Sequence, residues 1–457
     1  MSFSKNTFTN IFGEISSEFN VYTIEDIASD EKRSIISGPF GSNISSKYFT
    51  EHGVPVIRGN NLTEDNTKFI DEGFVFVSEE KAKELNTYAD VDDLVFTAAG
   101  TIGQVGIIPE NSKFDRYVIS NKQLRVTLDL NKVNQHYAYY WFSSKLINKY
   151  IKQLNTGSTI PLINLTILKG LPIPLPSKDL QDKIANIIIN IDKKIETNER
   201  INKNLDNLLM SIFNSWFINF EVYDKSNGMK FDETFGDVPR LWSVEMLEDY
   251  VDFVTGVEPG SKNYHEKPEI NDIPFIRVGD LGSRINTVFI DKLLSKNKIL
   301  SPDDITLSLD ATVGIVKMGL NGAYSTGMRK LLIKNDDINK PFLYCLVKSK
   351  RIQRIIETFA TGTTILHAGK SIKHMNFVLS DEQTMNQFGK IGNPILSIIL
   401  ANLKEINKLT KLRDTLLPKL MSGEIDVSKI NCDLELKYKY MKYLFNQIHT
   451  PMSKSVV

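Results

Sequence analysis

The chain has 457 residues, 41% hydrophobic and 24% charged, with 55 basic side chains balanced by 55 acidic ones. That is the make-up of an ordinary folded protein with room for roughly three domains, and zero formal net charge argues against a protein that coats nucleic acid regardless of sequence. No apolar run is long enough to span a bilayer, the opening MSFSKNTFTN lacks the apolar core of a secretory signal, and Cys345 and Cys432 stand at neither metal-binding nor redox spacing, so a cytoplasmic protein with free thiols is expected.

From about Ile15 to Pro176 the chain reads as a mixed domain. The pieces VPVIRG, GFVFV, DLVFTA and QLRVTLDL have strand character, and HYAYYWFSSKLINKYIKQL, from His136, has helical character. GLPIPLP, from Gly170, carries a proline at every second position, which keeps it extended. Ser177 then stands where a helix cap belongs. The helix expected next, about Lys178 to Phe220, has the clearest periodicity in the chain. Ile184, Ile188, Ile191, Ile195, Asn198, Asn202, Leu205, Leu209, Ile212 and Trp216 alternate steps of four and three. That spacing predicts a coiled-coil seam with two polar interruptions. From Tyr223 to Trp242 a stretch rich in turn formers reads as a polar connector.

Beyond the connector the pattern starts again. VYTIEDIA from Val21 is answered by VEMLEDYV from Val244, and VPVIRGNNL from Val54 by IPFIRVGDL from Ile273. DDLVFTAAGTIG from Asp92 is answered by DDITLSLDATVG from Asp303, and TGSTI from Thr156 by TGTTI from Thr361. Four islands in one order predict two similar halves and a pseudo-two-fold axis. The seam repeats as well, at Ile395, Ile399, Asn402, Ile406, Leu409, Leu416 and Leu420, with Arg413 the departure. If the two helices pack antiparallel, Asn198 and Asn402 should lie together and set the register; the plain alternative has each facing solvent. Asn393-Pro394 suggests a kink or a separate short helix over 381–392, and Pro418 a bend or an end. A Lys/Tyr-rich tail follows Val427.

Chemistry is read from constellations, and those of the common enzymes are missing. The sequence holds no P-loop, dinucleotide fingerprint, His-Glu-x-x-His or nucleophile elbow, and no Asn-Pro-Pro or Asp-Pro-Pro of an adenine methyltransferase. Asp92, Asp93, Asp303 and Asp304 sit at loop-to-strand transitions, where solvated turn residues are common. No metal site is expected. Both halves do carry loops suited to DNA: Gly38-Pro39-Phe40-Gly41-Ser42 with Lys47 and Tyr48, and Gly256 and Pro259 followed by Ser261, Lys262, Asn263 and Tyr264. Such residues position a protein on phosphates, and Asn, Arg and Lys read base edges. The candidate contacts also include Arg58 and Arg277 at the ends of matched strands, Asn60, Lys122, Arg125, Arg329 and Lys330. Ser158 and Thr159 in one half, and Thr363 and Thr364 in the other, complete the set. For each, a structural turn or pair is the competing reading, because duplication preserves structural residues too. The basic runs Lys348, Lys350, Arg351, Arg354 and Lys370, Lys373, His374 read best as solvated faces.

The ending LRDTLLPKLMSGEIDV, the GPFGS loop, the IPFIRVGDL strand, TGSTIPLINLTILKGLPIPLPS and NSWFINFE together resemble the specificity subunit of type I restriction-modification systems. The resemblance spans the chain to about Val427. It implies an α+β fold of two α/β target recognition domains, 1–176 and 223–377. These alternate with two helical regions, 177–222 and 378–427, that pair as an antiparallel coiled coil in a pseudo-two-fold duplication, with a tail over 428–457. It also implies a non-catalytic subunit that binds double-stranded DNA, each recognition domain reading one half of a bipartite, asymmetric target. Two modification subunits and two restriction subunits are the implied partners, and they carry S-adenosylmethionine, ATP and Mg²⁺; no cofactor is expected on this chain. The competing readings are a duplicated nuclease or methyltransferase fragment with its own catalytic site, and a coiled-coil adaptor without DNA binding.

Overall fold

A computed structural model describes residues 4–63, 68–282, 288–363 and 365–428. The chain divides into two compact units. The first takes the described residues up to Asp192 together with those from Lys411 onward; the second is Lys193–Thr410.

Each unit is built on the same plan. In the first, an antiparallel sheet runs in the order Ile35–Ser37, Gln123–Val126, Leu94–Thr97, Val105–Ile107. A second sheet orders Phe49–Thr50, Val75–Val77, Val54–Ile57, Tyr117–Ile119 and Tyr88–Ala89. Every residue of Val54–Ile57 and Leu94–Thr97 is buried, which is why these pieces are continuously apolar and not alternating. In the second unit the first sheet recurs as Val251–Thr255, Met328–Ile333, Ile305–Ser308 and Val316–Lys317. Its second sheet keeps the parallel pairing of Val54–Ile57 with Tyr117–Ile119 as Asp272–Ile276 with Gly322–Tyr324. The proline-alternating run becomes the buried strand Pro172–Leu175, paired with Asn20–Thr23; Ser243–Met246 with Asn376–Leu379 is its counterpart.

Two helices follow the sheets in each unit. The stretch from His136 is not one helix but two, Gln135–Phe142 and Lys145–Gln153, because Ser144 caps the second by accepting the Ile147 N–H. Lys340–Lys348 and Lys350–Thr358 repeat the arrangement with Ser349 as cap.

The long helices are Lys178–Phe213, which ends in a π-type turn over Asn214–Ile218, and Glu382–Ser422. Within the first unit Asp192 meets Arg413; within the second Asn198 meets Glu405 and Asn202 meets Asn402. In the second unit numbers rise on one helix as they fall on the other, so the helices pair antiparallel; in the first, Lys183 reaches the Ser428 carbonyl while Asp192 meets Arg413, the same sense. In the second unit Leu205, Leu209, Ile395 and Ile399 share one apolar cluster with the domain core. The expected partnership of Asn198 with Asn402 is corrected: Asn402 Nδ2 donates to Asn202 Oδ1 at 2.8 Å, and Asn198 Nδ2 donates to Glu405 Oε2 at 2.8 Å. Arg413 is the buried partner of Asp192, 3.0 Å away.

Neither proline breaks its helix. Asp381 caps Glu382–Ser422, accepting the Thr384 N–H at 2.8 Å and the Trp242 indole N–H at 3.0 Å. Met385 and Phe388 bury the first turns in the core. With both sides of Pro394 anchored, the one donor it lacks is not enough to end the helix. The helix likewise passes Pro418 and stops at Gly423, whose φ of +76° suits glycine. The connector is also more than a linker, since Met229–Asp232 and Gly236–Pro239 form a hairpin.

Candidate nucleic-acid interface

The matched loops come together at one end of the first sheet in each unit. In the first unit Ala98 N–H donates to the Lys122 carbonyl, Ile163 N–H to Ala98 and Gly100 N–H to Pro161, at 2.7, 2.9 and 2.9 Å. In the second, Leu309 N–H donates to Gly327, Ala368 N–H to Leu309 and Ala311 N–H to Leu366, at 2.9, 2.7 and 2.9 Å. These are the same three bonds at equivalent positions. Glycine makes the closeness feasible. A Cβ on Gly157 would lie 1.9 Å from the Ile160 carbonyl oxygen, and one on Gly362 2.1 Å from that of Ile365. Gly38 and Gly256 are pinned the same way, 1.8 Å from the Ser120 and 2.1 Å from the Tyr324 carbonyl oxygens.

On this shared backbone the side chains differ. A β-bridge joins Ala99 to Leu162 in the first unit; the equivalent bridge joins Asp310 to His367, whose Oδ1 and Nδ1 are 2.7 Å apart. Asn61 Oδ1 accepts the Arg58 backbone N–H at 3.0 Å, and Asp280 Oδ2 accepts that of Arg277 at 2.9 Å. Asp280 also grips the Arg277 guanidinium with both oxygens at 3.0 Å, whereas the Arg58 guanidinium meets only the Gly73 carbonyl at 3.3 Å. Arg58 therefore has no carboxylate partner among the described residues. Arg58 Nε and Gln123 Nε2 are both buried donors without an acceptor, the situation in which an incoming phosphate or base edge is worth most.

The remaining candidates fall into three groups. Ser42, Asn60, Lys122, Ser158 and Thr159 in the first unit and Ser261, Lys262, Asn263 and Thr363 in the second are exposed. Tyr48 and Tyr264 are half-buried. Tyr48 lies under the Lys47 and Lys81 ammonium groups, 4.7 and 3.9 Å from its centroid, and Tyr264 packs on Phe275 at 5.4 Å. Arg329 donates to the Thr326 and Met328 carbonyls, and burial lowers its pKa. Thr364 lies outside the described residues.

Arg125 and Lys330 each face a carboxylate of their own unit. Arg125, its side chain 12% exposed, bonds Thr127 Oγ1 and stands 3.6 Å from buried Asp93; Lys330 pairs with Asp304 at 2.7 Å. Asp93 and Asp304 are equivalent residues of the DDLV and DDIT islands, so this is one internal ion pair kept in both halves. Burial pushes the Asp93 carboxyl up to about 6 against the pull of Arg125 and Thr127. The sequence reading missed the Asp310–His367 pair, whose two positions differ between the halves when TAAGTIG is compared with SLDATVG and IPLIN with ILHAG. It also missed that the connector belongs to the repeat, as FGEI from Phe12 and FGDV from Phe235 show. Among the described residues no group of three or more His, Cys, Asp or Glu side chains is placed to hold a metal ion, and no helix is long and apolar enough to cross a membrane.

Residues 16–207 and 239–383 match the type I restriction modification DNA specificity domain. Over 435 residues the sequence is 26% identical to the type I restriction enzyme MjaIX specificity subunit of Methanocaldococcus jannaschii, covering 92% of this chain and 96% of that one. It is 24% identical over 381 residues to the HindI specificity subunit of Haemophilus influenzae, covering 69% and 83%. The fold is similar to the crystal structure of the type I restriction-modification S subunit from M. genitalium, with a TM-score of 0.52 at 20% identity, covering 89% of this chain and 96% of that one.

Proposed function

The chain belongs to the type I restriction modification DNA specificity family, matched over residues 16–207 and 239–383, and on that premise we propose that it is the DNA sequence-specificity subunit of a type I restriction-modification complex. Residues 1–176 and 223–377 are the two target recognition domains; 177–222 and 378–427 are the helical regions that set their spacing and dock modification subunits. The observation that carries this reading is the pair of loop clusters with one backbone and different side chains. A common scaffold presenting Ala99 and Leu162 in one unit and Asp310 and His367 in the other suits one protein reading two different half-sites. Arg58 and Lys122 on one side, and Lys262 on the other, supply phosphate contacts.

The subunit performs no bond-making step in this scheme. Methyl transfer from S-adenosylmethionine and ATP-driven translocation and cleavage with Mg²⁺ belong to two modification and two restriction subunits in the cytoplasm. The test is a domain exchange. With residues 15–176 replaced by another family member's recognition domain, the assembled complex should methylate adenines in a target changed in one half only. A target changed in both halves, or in neither, refutes the modular reading.

A further inference from the structure

One groove recurs in both units, and its two copies differ in a telling way. In the first unit it runs between the Lys145–Gln153 helix and the far end of the Glu382–Ser422 helix, where a cavity of about 490 Å³ remains, lined by Phe8, Phe12, Trp141, Leu146, Pro418 and Ser422. The chain's own Lys5–Phe12 helix is seated there. Phe8 stacks on Trp141 at 5.6 Å, and Phe12 meets Trp141 at 5.8 Å and Tyr150 at 5.0 Å. Phe8 and Phe12 are four residues apart, the spacing of a helix anchored along one face.

In the second unit the equivalent groove is bounded by Met210, Asn214 and Ile218 on one wall and Lys350, Arg351, Arg354 and Ile355 on the other, and holds about 760 Å³. The counterpart of the Lys5–Phe12 helix is the 229–239 hairpin, which lays Phe235 over the Arg351 guanidinium at 3.9 Å and leaves the groove open. The charge changes with it. In the first unit Lys145 is answered by Asp414 at 3.3 Å; at the equivalent place Lys350 faces Met210. Lys348 is neutralised by Asp206 at 2.5 Å, but among the described residues Lys350 and Arg354 have no carboxylate partner, and Arg351 bonds only the neutral Asn376 side chain. On the same helix Gln353 donates to the Val347 carbonyl at 2.7 Å.

We propose that this groove is a docking site for an acidic amphipathic helix of another protein chain, with two large apolar side chains four residues apart set against Met210, Ile218 and Ile355 and carboxylates against Lys350 and Arg354. The Lys5–Phe12 helix on the first groove shows the shape accepted, a single helix; the wider second groove, without such a helix, shows the charge required. Lining of this kind, apolar at the floor and cationic at the rim, gives both affinity and choice of partner.

The test uses the full chain and a fluorescent helical peptide with two phenylalanines four residues apart flanked by glutamates, beside a control with lysines in place of the glutamates. Anisotropy should show the acidic peptide binding and the basic one not. Lys350→Glu with Arg354→Glu should weaken the acidic peptide about tenfold or more and favour the basic one. Met210→Asp, which restores the carboxylate that the first unit has, should weaken it in the same direction. Both exposed changes lie in the first turns of a helix that tolerates carboxylates, and circular dichroism verifies the fold. Equal affinity of the original chain and both variants for the acidic peptide overturns the proposal. So does displacement of the peptide by a random DNA duplex together with loss of duplex binding in the charge-reversed variant, which would make the groove a phosphate-binding surface.

Discussion

Replacing Arg413 by Met tests how the antiparallel helix pairing of the first unit is held. The Arg413 side chain is 3% exposed and that of Asp192 5%, with Nη1 and Oδ1 3.0 Å apart. The Tyr140 hydroxyl donates to the other Asp192 oxygen at 2.6 Å. At this separation and an effective dielectric constant of about 20, the attraction is about 5 kcal/mol before the cost of desolvating both groups. Removing the guanidinium leaves a buried carboxylate with one hydroxyl donor, so Arg413→Met should cost about 3 to 5 kcal/mol. Asp192→Asn added to Arg413→Met removes the stranded charge, keeps an acceptor for Tyr140, and should recover at least about 2 kcal/mol. The readout is the urea midpoint of the full chain by far-ultraviolet circular dichroism for the four members of the cycle, at constant slope. A single replacement costing under about 1 kcal/mol, or a double replacement costing the sum of the singles, would refute the account of a pair whose members are each costly alone.

Other expectations follow from the same structure. The Asp93 carboxyl is raised to about 6 by burial; a folded value above the unfolded one means that its contribution is fully present below about pH 4 and is lost as pH rises through 6, about 3 kcal/mol in all. The stability of the original chain relative to Asp93→Asn should therefore fall between pH 4 and 6.5 in thermal melts, and a flat difference would show that the carboxyl is not held there. Arg58→Ala should lower the slope of log affinity against log salt by about 1 in duplex-binding titrations, because its charge is unpaired. Arg277→Ala should change that slope less, since Asp280 already grips the guanidinium, and Asp280→Asn should raise it.

What could be read in the sequence was whatever is periodic or repeated. The seam, the strand islands and the duplication all follow from apolar spacing, and burial of Val54–Ile57 and Leu94–Thr97 has the same cause. Prolines misled, because the penalty at Pro394 is local while the anchoring by Asp381, Met385 and Phe388 comes from residues far away in the chain. Arg125 and Lys330 show a different limit. Residue type reveals a charge but not what faces it, and Asp93 and Asp304 turn these two inward. The Asn198 partnership slipped because a seam specifies phase, whereas the partner across it depends on stagger, which only the packed helices settle.

The first unit is closed by residues that follow the second in sequence. Ser16 N–H donates to the Ser422 carbonyl at 2.8 Å, and the Asp192 carboxylate waits for Arg413. Lys193–Thr410 is continuous and emerges whole from the ribosome, but the Asp192 carboxylate stays without Arg413 while that entire unit is translated. At ~5–20 residues per second this interval is roughly 10 to 40 s. Completion of the first unit therefore waits on residues translated after the whole of the second.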